Sequence, residues 1–138
     1  MSMSLEAKTA IVTGAAHPKG MGFAAARALA QAGAHVVLTD LASRGDDPMA
    51  DLKSAAALLS AEAGNVSFKI VDVTDRKSIA TCVKDVVSEH GGVDILFNNA
   101  GVGCSTEKFL ELTAKDWTSS FAVNLKGVSD FCQEVLPN

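Results

Sequence analysis

Apolar positions come in short unbroken runs, and between the runs they recur at helical spacing. Thr9 to Thr13 is a run of small and branched residues ending at a glycine, the pattern of a buried strand. Gly22 to Ala32 is alanine-rich and stops at Gly33, which predicts a helix closed by a glycine. His35 to Thr39 predicts a second strand, ending at Asp40. A polar loop over 41–47 leads to Pro48 at a helix start, and that helix runs to Ala63 before Gly64. Val66 to Val71 predicts a third strand. Thr74 can cap a helix from Asp75 to His90, with Ile79, Val83, Val86 and Val87 inward. Gly91 and Gly92 break it, and Val93 to Phe97 predicts a fourth strand. Thr113 with Asp116 gives a capping pattern for a last helix reaching Leu136, with Trp117, Phe121, Leu125, Val128 and Cys132 as its apolar face.

The order is therefore strand and helix four times over. Short apolar strands alternating with amphipathic helices predict an α/β fold, a doubly wound parallel sheet covered on both faces. No repeat, linker or low-complexity stretch interrupts the pattern.

Composition narrows the classes. The 138 residues are 48% hydrophobic and 20% charged, with a formal charge of -4, which suits one globular domain. A mildly acidic chain with no basic run is a poor partner for nucleic acid. No apolar stretch approaches the ~20 residues of a spanning helix, and the N-terminus lacks a signal-peptide pattern. No membrane association and a cytoplasmic location are expected. Cys82, Cys104 and Cys132 lie far apart without metal-ligand spacing, so reduced thiols and no metal site are expected.

The chemistry concentrates at the first strand–helix junction, Thr13-Gly-Ala-Ala-His-Pro-Lys-Gly-Met-Gly22. Glycines let backbone approach a ligand, and the free amides of a helix start meet anionic oxygens. That is how a diphosphate is bound, although a glycine-rich turn alone also serves as a tight connection. Asp40, at the end of the second strand, strengthens the functional reading. A carboxylate there can accept both ribose hydroxyls of an adenosine and would repel a 2′-phosphate, favouring NAD over NADP. His17, Lys19 and Arg44 could meet a 2′-phosphate, so NADP stays as the alternative. His17, His35 and His90 have no partner pattern for metal or triad chemistry and are read as non-catalytic.

Five pieces in order then resemble the classical short-chain dehydrogenase/reductase family: the Thr13-Gly14…Gly20-Met21-Gly22 turn, Asp40, Asp72 in Val-Asp-Val-Thr, Asn98-Asn99-Ala100-Gly101, and Asn124 in Val-Asn-Leu-Lys-Gly. The resemblance covers essentially the whole chain and implies a Rossmann-like, NAD(P)-dependent oxidoreductase acting on a small-molecule alcohol/ketone pair. It implies that residues 1–138 are the dinucleotide-binding, N-terminal half, with strand order 3-2-1-4. Gly14, Gly20, Met21 and Gly22 would meet the diphosphate. Asp72 and Val73 would lie at the adenine, Asn99, Ala100 and Gly101 would line the cofactor, and Asn124 would belong to the catalytic tetrad.

Two departures stand out. The family's turn has three residues between its first two glycines; here Ala15, Ala16, His17, Pro18 and Lys19 stand there. Longer turns occur in the related enoyl-acyl-carrier-protein reductases, which lack Asn-Asn-Ala-Gly. The family also carries a serine after a fifth strand and a Tyr-x-x-x-Lys on the next helix. This chain contains no tyrosine. The expectation is a chain inactive alone, with an open edge on strand four, an uncovered apolar helix face and a tendency to form homo-oligomers. A non-catalytic dinucleotide-binding module is the alternative. A sugar-nucleotide epimerase is disfavoured by Asn-Asn-Ala-Gly.

Overall fold

The computed structural model describes residues 4–43, 46–103 and 108–137. Four strands form one parallel sheet in the order β3-β2-β1-β4: β1 (Thr9–Thr13), β2 (His35–Asp40), β3 (Val66–Ile70) and β4 (Ile95–Phe97). Thr9 pairs with His35 and Thr13 with Thr39, which brings the ends of β1 and β2 level at the edge where Gly14 and Asp40 follow. On the other side of β1, Ala10 to Val12 pair with Ile95 to Phe97. The sheet order is the one the resemblance implies.

Alternation along β1 and β2 divides the core. Ala10, Val12, Val36 and Leu38 face α1 (Met21–Gln31) and α2 (Ala50–Ala63), where Phe23, Ala26, Leu52 and Leu59 are buried. Ile11 and Val37 face the opposite way, against Ile79, Cys82, Val83 and Val86 of α3 (Arg76–His90). Phe131 and Val135 of the last helix complete that layer. Every residue of β1 and those in the middle of β2 are thus buried on one face or the other, which is why these two strands read as continuous apolar runs.

The ends follow from local chemistry. Gly33 closes α1 in a Schellman arrangement: its amide donates to Ala30 O and the Ala34 amide to Leu29 O. Gly91, at φ 87°, ends α3 in the left-handed conformation. Asp75, not Thr74, caps the start of α3, its carboxylate accepting from the Lys77 amide. Thr74 is diverted, because both its amide and its hydroxyl donate to Asp72 Oδ1. The helix expected from Pro48 begins at Ala50, since Asp47 first takes the Met49 amide in a local turn.

The single last helix expected from Thr113 is three segments: α4 (Ala114–Phe121), a π-helical turn (Ala122–Gly127) and α5 (Val128–Val135). Its start is as predicted, a capping box between Thr113 and Asp116. The wide turn rotates the later residues, so Ser120, Gly127, Asp130, Phe131 and Val135 face inward. Trp117, Phe121 and Leu125 of the predicted apolar face lie on the outside. A 3-10 turn at Phe109–Glu111 precedes α4.

Candidate dinucleotide site

A cleft of about 400 Å³ opens at the carboxyl ends of the strands. In an open parallel sheet this is where ligands bind, at the point where the strand order reverses. Here the chain leaves β1 for β2 on one side and returns from β3 to β4 on the other. The cleft is lined by Gly14 beyond β1, Thr39 to Leu41 at the end of β2, Val71 to Thr74 after β3, Asn99 to Val102 after β4, and Val123 of the π-turn. Seven of the residues singled out in the sequence meet there: Gly14, Asp40, Asp72, Val73, Asn99, Ala100 and Gly101.

The floor is held by a small polar network. The buried Thr13 hydroxyl accepts from the amides of Asn99 and Ala100, at 2.9 Å each. The Asn99 side-chain amide donates back to Thr13 O at 2.9 Å and Gly14 O at 3.0 Å. The segment after β4 is thereby fixed to the turn after β1. Packing there leaves no room for side chains. A Cβ at Gly14, which sits at φ +65°, would lie 2.8 Å from Ala100 Cα. One at Gly22 would lie 2.5 Å from Asn99 Nδ2. Thr13 belongs to the turn motif read from the sequence but carried no role of its own there; a hydroxyl closing a strand just before the glycine turn was the available signal.

Gly20, Met21 and Gly22 do not line the cleft; they stand where α1 begins, with Gly22 packed against Gly14 and Asn99. Gly20 precedes the helix in extended conformation without a side-chain cap, and its amide donates to His17 O. The Ala15 and Ala16 amides are also engaged, to Thr39 O and Asp40 Oδ2, and the Lys19 amide to His17 Nδ1. The first amides of α1, at Met21 and Gly22, precede the first helical carbonyl partners and point out of the helix end, the arrangement that attracts anions. The Met21 side chain is 81% exposed.

Asp40 closes β2, beside the turn that leads into α1, and Asp72 follows β3. Asp40 is half-buried, and its oxygens accept from the Ala16 amide at 3.0 Å and the Leu41 amide at 2.8 Å. Asp72 Oδ1 accepts from Thr74, and the Asp72 amide donates to Ser78 Oγ. Arg44, which could have met a 2′-phosphate, and Cys104 lie outside the described residues. Asn124 lies in the π-turn and reaches the wall of the cleft: its Oδ1 accepts from the Val102 amide at 2.9 Å and its Nδ2 donates to Val102 O at 2.8 Å. Helical spacing gave no sign of that turn.

Outside the cleft, burial pushes the Cys82 thiol up to about 12, which leaves it protonated and unreactive. Among the described residues no group of three or more His, Cys, Asp and Glu side chains could hold a metal ion. None of their helices is long and apolar enough to cross a membrane.

The family model for short chain dehydrogenases matches residues 8–138. The chain belongs to the short-chain dehydrogenase family. It is 36% identical over 135 residues to the 3-oxoacyl-acyl-carrier-protein reductase FabG of Thermotoga maritima, covering 98% of this chain and 51% of that protein. It is 37% identical over 131 residues to a D-threitol dehydrogenase of Mycolicibacterium smegmatis, covering 95% and 47%. Among solved structures, the L-sorbose reductase of Gluconobacter frateurii complexed with NADPH and L-sorbose superposes with a TM-score of 0.85 at 31% identity, over 99% of this chain and 49% of that one. The short-chain dehydrogenase chain thus spans about half the length of the relatives it matches.

Proposed function

We propose that residues 1–138 form the dinucleotide-binding half of an NAD(P)-dependent oxidoreductase acting on an alcohol/ketone pair. The observation that carries the reading is the convergence of three features on one cleft: a glycine turn opening a helix, and the Asp40 and Asp72 carboxylates. The Met21 and Gly22 amides would hold the diphosphate. Asp40 would take the adenosine ribose, Asp72 and Val73 the adenine, and Asn99 to Gly101 the nicotinamide side. A nicotinamide dinucleotide supplies the hydride. Asn124 stands at the far wall, where the family places its proton relay.

The Asp40 carboxylate favours NAD, because a 2′-phosphate brought beside it would set like charges together. Relatives solved with NADPH and NADP keep the second cofactor as the competitor. The proton on the substrate oxygen needs a general acid/base, whose loss typically costs around 10²–10⁴ in rate. The family uses a tyrosine, and these 138 residues contain none. The chain alone is therefore expected to bind cofactor without turnover. The missing tyrosine also favours the second reading, a non-catalytic module that binds the dinucleotide as sensor or interaction partner. We place either form in the cytoplasm, where thiols stay reduced.

Titration with NADH and NADPH, followed by nucleotide fluorescence, tests the reading. Tighter binding of NADH is expected, and binding of neither would end the case. Coding sequence downstream of codon 138 separates the two readings. An in-frame serine and Tyr-x-x-x-Lys supports the oxidoreductase half; a native stop supports the module.

A further inference from the structure

We propose that Asp40 also serves as the anchor of the lengthened glycine turn, so that its carboxylate positions the diphosphate-binding amides as well as facing the ribose. This rests on the dinucleotide reading above and adds a second role at the same site.

The turn has two parts with different attachments. Its first part dips into the protein. Ala15 is fully buried, with its amide on Thr39 O at 3.1 Å, and Ala16 is half-buried, with its amide on Asp40 Oδ2 at 3.0 Å. The second part, His17 to Lys19, is exposed and closes on itself through the Gly20 amide and His17 O at 2.8 Å. Proline as the second residue and glycine as the fourth suit a tight four-residue turn, which is how the extra residues are taken up at the surface. The Asp40 bond is thus the side-chain tie at the point where the buried part gives way to the exposed one. Beyond that point the chain runs through the local turn directly into α1, whose first amides would meet the diphosphate.

A charged acceptor on a half-buried amide makes one of the stronger hydrogen bonds available, and losing it leaves the amide unsatisfied. The carboxylate cannot swing toward solvent to admit a 2′-phosphate without releasing Ala16. Removing it should therefore not convert the site to NADP; it should loosen the turn for every diphosphate ligand.

The discriminating probe is 2′,3′-dideoxyadenosine 5′-diphosphate, which keeps the diphosphate and adenine but has no hydroxyl for Asp40 to hold. Calorimetry is expected to show that Asp40→Ala weakens this probe about tenfold or more. Asp40→Asn, which keeps an acceptor for the Ala16 amide, should recover part of that loss while improving NADPH relative to NADH. Amide hydrogen exchange on the ligand-free protein gives an independent readout. Ala16 should exchange faster in Asp40→Ala than in wild type, and Asp40→Asn should restore its protection.

Equal affinity of wild type and Asp40→Ala for the dideoxy probe, with weaker NADH binding in the variant, would reduce Asp40 to a ribose ligand and overturn the proposal. Unchanged exchange at Ala16 would overturn it as well. Wild type that binds neither NADH nor the probe would overturn the dinucleotide reading and the coupling to binding with it, whereas the exchange experiment would still decide the anchor alone.

Discussion

At the scale of single residues, space decides more than chemistry. Gly22 is closed in by Asn99 Nδ2 and by Gly14 O, which a Cβ would approach to 2.7 Å. Gly22→Ala must push backbone apart and is expected to cost about 1–3 kcal/mol in denaturant unfolding and to weaken NADH binding. Gly91 is the control. Nothing lies within 4 Å of its Cβ position, but its φ is +87°, so alanine there meets only backbone strain. Gly91→Ala should cost about 1–2 kcal/mol and leave nucleotide affinity unchanged.

His35 makes a residue-scale prediction of another kind. Its ring packs on His90 with centroids 4.0 Å apart, and its Nε2 pairs with Ser67 Oγ at 3.0 Å. Burial first, and His90 next, lower its pKa below 6.5, against a smaller opposing pull from Glu89. A group whose folded pKa is depressed in this way holds its proton less well in the native state. Its contribution to stability is complete above pH 6.5 and declines as the pH falls through the lower folded value. Urea midpoints should therefore drop between about pH 7 and pH 5, and His35→Gln should flatten that dependence. An equal slope in the variant would assign the effect to other groups.

At the scale of elements, the π-turn is the part that could not be read from spacing. Trp117, Phe121, Leu125, Val128 and Cys132 recur as one helical stripe, yet the wide turn between α4 and α5 puts Phe131 and Val135 inside and leaves Phe121 and Leu125 at 56% and 63% exposure. Gly127 shows why the turn sits where it does. A Cβ there would meet Val73 O at 2.8 Å, so only glycine lets this element press against the segment after β3. Gly127→Ala should cost about 1–3 kcal/mol. It should also loosen the Asn124–Val102 bonds, read as faster exchange of the Val102 amide. The start of the same element was legible, because a capping box is a local exchange of hydrogen bonds between Thr113 and Asp116. Thr74 and Asp75 show the limit of such local reading. Both are good capping types, and the choice fell to Asp75 because Asp72 had already engaged Thr74.

At the scale of the whole molecule, the described residues leave apolar surface exposed in two regions. β4 is an edge strand, with Phe97 41% exposed, and beside it Leu136 is 82% exposed at the end of α5. On the outer side, Trp117 stacks on Phe121 with ring centroids 6.0 Å apart, and Phe109 meets Trp117 edge-on at 6.3 Å. Unpaired strand edges and contiguous apolar patches drive association. Sedimentation of this chain should therefore show concentration-dependent self-association that Phe121→Glu reduces. A monomer of 14.2 kDa at all concentrations would remove the expectation.

The sequence by itself determined the strand and helix succession, the parallel sheet and the residue types of the cleft. Those depend on patterns within a few residues: apolar runs, caps, and glycines at turns. Tertiary structure alone decided which amides of the glycine turn remain open, because Thr39 and Asp40, distant in sequence, take those of Ala15 and Ala16. It also decided that Thr13 ties the turn to Asn99 and Ala100, and that the last helix widens at Asn124. Each of these involves contacts between segments distant in sequence that only the folded chain brings side by side, and no local spacing encodes them.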